Sequence, residues 1–364
     1  MTISELQMGL IGAGTAAVVV VFAYSKWQET RHRRNAEKVF GGEHRDVLLE
    51  QPAGERVEPR AQPADGAARE AELVWGGTET NPRRLAPDQP PGVDARVDCL
   101  IRIESIEPLS AAKLWLAQRE VLGAVDKPLA WYGFDDARNS WEELGGHSAG
   151  SYHWFGVAMQ MADRRGAISD GEFQVFADGV QRLCDQFLAV PASVPIQGEA
   201  LGRAVELDRF CASVDVQIGV NVVAVGNPFA GTKIRGLAEA HGLILREDGM
   251  FHAADEEGTT LFALANLEPV LFTTEGLRGL LTNGLTLMVD VPRVRDGLLA
   301  FDRMMAFARQ LADALNGTVV DDNRAPFGDP AAALIRSQIE QFQGQMQHYG
   351  VPAGSRLALR LFSA

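Results

Sequence analysis

Two stretches of this chain have the residue types and spacing of phosphate chemistry. Gly226-Asn227-Pro228-Phe229-Ala230-Gly231-Thr232-Lys233 follows an apolar strand pattern and opens a helix, the setting of a phosphate-binding loop. Such a loop ends Gly-Lys-Ser/Thr, so that the ammonium reaches the terminal phosphates and the hydroxyl holds magnesium. Here Thr232 precedes Lys233, which turns both groups by one helical position, and Pro228 removes one amide from the cradle. A membrane-tethered nucleotide-binding enzyme using the Gly226–Lys233 loop is therefore the alternative reading, not the leading one. Gly12-Ala13-Gly14-Thr15-Ala16-Ala17 fits the dinucleotide pattern G-x-G-x-x-A, but no strand precedes it and it lies within an apolar run that reads as a membrane span.

Catalytic and metal-binding patterns are sparse. His32 and His44 fall near the apolar run or in a linker, and His147, His153, His241, His252 and His348 are scattered without ligand spacing. Adjacent Asp321 and Asp322 point opposite ways from an extended backbone and read as a turn. Cys99, Cys184 and Cys211 form no C-x-x-C pair and no even framework, which fits buried thiols in a reducing compartment. No cofactor or metal is expected from these patterns. A formal charge of −14 argues against nucleic acid as a partner, since phosphate binding needs a dense Lys/Arg surface.

The elements that carry these residues begin with an anchor. Leu6 to Tyr24 is almost wholly apolar, and the run to Trp27 meets its first charge at Lys26, so residues 6–27 are long enough to cross a bilayer once. Lys26, Arg31, Arg33, Arg34, Lys38 and Arg45 follow on one side, against Glu5 alone in the leader. That bias predicts a single-pass membrane protein with its N-terminus outside and its body cytoplasmic. A cleaved signal peptide would need its basic cluster on the other side. Gly9, Ala13 and Ala17 share one helix face and would suit an anchor-mediated homodimer. Residues 28–93 read as a basic juxtamembrane segment and a Pro-rich linker. Seven of the 17 prolines lie between Gln51 and Pro91, and from Glu43 to Val93 there is no Phe, Tyr or Ile, with Trp75 the one aromatic residue.

The remainder reads as α+β, an antiparallel sheet packed on helices in two tandem copies, 94–212 and 213–364. The first copy runs strand Val97–Ile103, helix Ser110–Leu122, strands Leu129–Phe134 and His153–Ala162, a helix after the capping box Ser169-Asp170-Gly171-Glu172, a short strand near Val194 and a helix Glu199–Ala212. The second runs strand Val214–Val222, helix Thr232–His241, strands Leu243–Glu247, Thr260–Leu267 and Leu285–Val291, a helix Gly297–Leu315 capped by Asp296 and stopped by Gly317, and a last helix with Pro330 at its first position. Val216, Ile218, Val220, Val222, Phe262, Leu264, Leu285, Leu287, Val289 and Val291 make the core face of that second sheet. The opposite face carries Gln217, Gly219, Ala263, Ala265, Leu267, Thr286, Met288 and Asp290. It is small and apolar where charge is the ordinary choice, a shallow trough for the apolar side of a helix or extended peptide. It lacks the stacked aromatics of a sheet-based RNA binder.

These residues come in a wording that resembles the ZipA family of bacterial cell-division membrane anchors. The phrases are Gly219-Val220-Asn221-Val222, Met250-Phe251-His252, Leu261-Phe262-Ala263-Leu264-Ala265-Asn266-Leu267, Asn283-Gly284-Leu285-Thr286 and Val319-Val320-Asp321-Asp322-Asn323-Arg324, in order over about Val214 to Tyr349, behind an N-terminal span and a Pro-rich linker. The resemblance implies a non-enzymatic adaptor of the inner membrane at the division septum, with its N-terminus periplasmic, whose C-terminal domain binds the C-terminal tail of FtsZ, the bacterial tubulin homologue, on the open sheet face. Carried over position by position, the peptide-binding residues are Gln217, Gly219, Met250, Ala263, Ala265, Leu267 and Met288. Met288 stands where a better-known member has Phe, and Glu268-Pro269 replaces a sequence containing Lys. The first copy, a ZipA-like repeat without assigned role, is a further departure.

Overall fold

The computed structural model describes residues 88–363, all of them within one compact unit. The expected membrane span 6–27, the Gly12–Ala17 pattern and the linker as far as residue 87, Trp75 included, lie outside the described residues. Among the described residues no helix is long and apolar enough to cross a membrane.

The fold is a mixture of helices and two antiparallel sheets, the class anticipated above. The first sheet contains β1 (Asp98–Ser110), β2 (Leu129–Asp135), β3 (Ser140–Leu144), β4 (Ser151–Gln160) and β5 (Ala189–Ser193), in the order β3-β2-β4-β1-β5. Its helices are α1 (Ala111–Val121), α2 (Asp170–Phe187) and α3 (Gln197–Val214). The second sheet contains β6 (Gln217–Ala224), β7 (Ile244–Leu245), β8 (Phe251–Ala254), β9 (Thr260–Asn266), β10 (Gly284–Asp290) and β11 (Gly317–Val320), in the order β7-β8-β9-β10-β6-β11. It is accompanied by α4 (Gly231–Ala240), α5 (Gly297–Leu315), α6 (Asp329–Tyr349) and α7 (Arg356–Leu361). In each sheet the first strand lies between the strand that enters a long helix and the strand that leaves it: β1 between β4 and β5 around α2, β6 between β10 and β11 around α5. This is a split β-α-β arrangement. The sheets differ beyond it, for β8, β9 and β10 meander in sequence order whereas β3 sits at an edge and β4 pairs with β2.

Local chemistry sets the helix ends. Ser169 and Glu172 form the reciprocal capping box at the start of α2, and the Asp296 side chain accepts from the Leu299 amide at the start of α5. The stop of α5 is Asn316 in the left-handed region, one residue before the expected Gly317, which instead opens β11. The cap of α6 is Gly328, so Pro330 lies one position further in than the sequence suggested.

Several expected boundaries move. Val214 ends α3 instead of opening a strand, because its side chain is fully buried in the first core, and the strand begins at Gln217. The strand expected over Leu243–Glu247 shrinks to Ile244–Leu245, and two strands, Ser140–Leu144 and Phe251–Ala254, were not anticipated. The C-terminal residues depart most from the expected division at 212/213. Met346, Val351, Ala353, Ala358, Leu361 and Phe362 are buried in the first core, not in the second. Polar contacts tie the same seam: Arg360 pairs with Asp98, Phe210 of α3 stacks on Tyr349 of α6 with centroids 3.7 Å apart, and Gly354 donates to the Pro292 carbonyl at 3.0 Å. Arg164, in the turn between the short ladder strands Ala162–Asp163 and Gly166–Ala167, bridges Asp215 and Asp290 at 2.7 Å each.

A buried ion pair lies in the same ladder. Lys127 Nζ meets Asp163 Oδ1 and the Gly166 carbonyl, both at 2.7 Å, with both side chains almost wholly buried. Burial alone would raise the Asp163 pKa, but hydrogen bonds from Arg165 and Lys127 outweigh it and hold the carboxyl below its ordinary value.

Two outcomes follow. Phe362→Ala removes a fully buried ring from the first core and should cost about 3–5 kcal/mol in denaturant unfolding, although sequence places the residue in the second domain; a loss below about 0.5 kcal/mol would contradict the packing. Because the folded pKa of Asp163 is depressed, its contribution is complete above the unfolded value near 4 and is lost as pH falls through the folded value. Melting temperatures measured from about pH 5 down to pH 2 should therefore decline less steeply for Asp163→Asn than for the parent.

Candidate functional site

The alternation Val216 to Val222 splits β6 into two faces, and the helices take one of them. Ile218, Val220, Val222, Phe262, Leu264, Leu285, Leu287, Val289 and Val291 are buried in one cluster with Phe301, Met304, Ala308 and Leu311 of α5. Val216 packs at its margin. The other face carries the residues singled out by sequence, and the register places them in rows. His252, Ala263, Met288 and Gly219 lie side by side across β8, β9, β10 and β6. Ala265, Thr286, Asn221 and Val320 make the next row. The pairing of Phe251 with Leu264, extended by one residue, sets Met250 opposite Ala265. Gln217 pairs with Asp290 at one end, and the Leu267 amide bonds the Gly284 carbonyl at the other. All seven expected residues thus share one face of one sheet.

The face is a trough because of its small residues. Gly219 has ordinary extended backbone, and a Cβ added there would touch only the Leu287 carbonyl oxygen at 3.7 Å, so the strand itself does not require glycine. Its absence of a side chain leaves the floor open between Met288 and the edge. Ala263 is buried, Ala265 and Met288 are half-buried, and Leu267 is 41% exposed and folds over Gly284, where an added Cβ would meet its Cδ2 at 2.5 Å. Ile244, 63% exposed, continues the apolar surface onto the edge strand β7.

Polar groups frame the trough and are held in place. Asn221, missed as a site residue, is buried in the floor; its Oδ1 accepts from Thr286 Oγ1 at 2.8 Å and its Nδ2 donates to Asp322 Oδ1 at 3.1 Å. A lone Asn within Val220-Asn221-Val222 was the available signal. His252 is also buried there, with Nε2 2.8 Å from Asp248 Oδ2. Glu268 accepts from both the amide and the side chain of Asn283 at 3.0 Å, and these bonds hold its carboxyl below the ordinary range. Asp290 is bridged by Arg164. The rim is consequently rich in fixed carboxylates.

The other candidate chemistry resolves into structure. In the Gly226–Lys233 stretch, Phe229 and Ala230 pair with Thr282 and Leu281, and Lys233 Nζ donates to the Ala314 carbonyl at 2.8 Å. Gly231 is pressed against Leu277 and Leu280, where a Cβ would come within 2.5 Å of the Leu277 carbonyl oxygen. Asp321 Oδ1 accepts the amides of Asn323 and Ala325, a turn as anticipated. Cys99, Cys184 and Cys211 are buried free thiols; burial pushes the first two up to about 11 and the third to about 12. Among the described residues no group of three or more His, Cys, Asp or Glu is placed to hold a metal ion.

Comparison with known proteins falls on this same sheet. Residues 216–338 match the family model described as ZipA, C-terminal FtsZ-binding domain. Similar curated proteins include the cell division protein ZipA of Vibrio cholerae, 34% identical over 131 residues, covering 35% of this chain and 45% of that protein. That of Marinobacter nauticus is 30% identical over 129 residues, covering 34% and 38%. That of Ectopseudomonas mendocina is 30% identical over 146 residues, covering 39% and 54%. The chain spans about half the length, or less, of these relatives. The similarity to the ZipA cell-division proteins thus falls on residues 216–338, which contain β6 to β11 and the trough between them.

Proposed function

We propose that the trough on the second sheet binds the C-terminal tail of FtsZ, and that the chain is a non-enzymatic adaptor that holds FtsZ filaments at the inner membrane of the division septum. The observation that carries this reading is the one-sided burial of the sheet in residues 216–338, with Gly219, Ala263, Ala265, Leu267 and Met288 left facing outward in the segment that matches an FtsZ-binding domain. In this reading residues 6–27 cross the membrane, residues 28–93 are the connecting segment, and the sheets of 94–212 and 213–364 are tandem copies of one arrangement.

The energetics suit a tail peptide. Covering a few hundred Å² of apolar surface at about 25 cal/mol per Å², less the entropy of ordering the peptide, yields affinity in the micromolar range. Met288 and Leu267 contribute most, as large apolar groups that flank the small-residue floor. Many anchored copies along one filament then act with high effective concentration, so weak single contacts suffice for attachment.

Two substitutions separate binding from folding. Met288→Lys places a charge where the peptide would cover it and should lower affinity for an FtsZ tail peptide at least about tenfold in calorimetry, while the half-exposed position lets the ammonium reach water and keeps the melting temperature nearly unchanged. Gly219→Val fills the floor without a clash and improves strand propensity, so it should weaken the peptide and leave the fold as stable or slightly more so. Undiminished affinity in both variants would remove the site assignment.

A further inference from the structure

The outer face of the first sheet has a trough of the same make, and that trough is filled. Across β2, β4 and β1 its rows run Ala130, Ala158, Leu100 and then Tyr132, Gly156, Arg102. Val93, Tyr132 and Ala158 are buried there in a cluster separate from the core beneath the sheet, with Leu100, Ala130 and Trp141 against them. The occupant is the chain's own segment 88–93. Trp141 Nε1 donates to the Asp88 carbonyl at 2.6 Å. Pro90 is buried over Gly156, where an added Cβ would lie 3.3 Å from the Pro90 ring. The Val93 amide bonds the Pro90 carbonyl at 3.0 Å, closing a turn through Pro91 and Gly92, and a Cβ on Gly92 would come within 2.6 Å of the Tyr132 hydroxyl oxygen.

An indole N–H that donates to a peptide carbonyl, beside a proline ring seated on a small-residue floor between aromatic side chains, is the chemistry by which aromatic grooves take proline-rich peptides. We propose that the outer face of the first sheet is a binding site for proline-containing peptide segments, occupied in this chain by its own residues 88–93. The segment joins β1 only five residues after Val93, so its local concentration is high. A free peptide therefore meets the face only in the fraction of molecules whose own segment has lifted, and its apparent affinity is reduced by that fraction. This proposal does not depend on the second sheet's partner.

The test is a fluorescein-labelled peptide with the sequence of residues 86–94, titrated with the purified full chain and read by fluorescence polarisation. Gly92→Val, whose added carbons collide with Tyr132, should release the segment and tighten peptide binding about tenfold or more over the parent. Adding Trp141→Ala to that variant should abolish the gain, and a peptide with Ser in place of Pro90 and Pro91 should not bind. Pro90→Ser, which removes only the ring over Gly156, is the second release variant and should move affinity in the same direction. The proposal is overturned if neither release variant binds more tightly than the parent, or if the gain survives Trp141→Ala. It is overturned equally if both release variants lose their folded melting transition, since residues 88–93 would then be a fixed part of the core.

Discussion

Burial of one face only is the constraint on which the second sheet depends. The α5 helix supplies Phe301, Met304, Ala308 and Leu311 to the side that holds Val220, Val222, Leu264, Leu285 and Leu287, and this single apolar layer provides the stabilisation of six strands. The outward face contributes little to that layer. It is therefore free to carry residues the core does not require, and Gly219 and Met288, side by side in one row, are the ones assigned to the peptide in the proposed function. Small side chains on a solvated strand face are a poor choice for β propensity and a good one for a surface that another chain is to approach closely.

The end of the chain packs against both cores. Val351 to Phe362 returns to the first core after α6 has packed at the second, since Phe342 lies against both clusters while Ile339 is buried in one and Met346 in the other. Arg164 adds a polar latch between Asp215 and Asp290, at the ends of the strands that bear Gly219 and Met288. Its charge is satisfied by two carboxylates in a partly exposed setting, where geometric definition is a more important result than net stabilisation. The trough thus sits on strands whose ends are held by the neighbouring sheet.

What could be read from sequence followed from periodicity and caps. The strict alternation of Val216 to Val222 assigned the two faces of β6, and Ser169 with Glu172 marked the start of α2. Elements were missed where local pattern is weak or where tertiary contacts decide. Ser140–Leu144 is an edge strand with Glu142 and Glu143 in its middle, and Phe251–Ala254 is only four residues long. Val214 has strand propensity but ends a helix because the first core takes its side chain. The trough residues were legible from alternation together with a resemblance to one family. The partners that frame them, Asn221 with Asp322, His252 with Asp248 and Arg164 with Asp290, join positions that pattern alone does not bring together.

The central claim is that an FtsZ tail lies along the outward face of the second sheet. Methyl NMR of the protein labelled at Met and Ala, titrated with an FtsZ C-terminal tail peptide, reads that face directly. The account predicts shifts at Met288, Met250, Ala263 and Ala265, with Ala130 and Ala158 on the filled face of the first sheet unmoved. Shifts confined to the first sheet, or none at Met288 at saturating peptide, would contradict it.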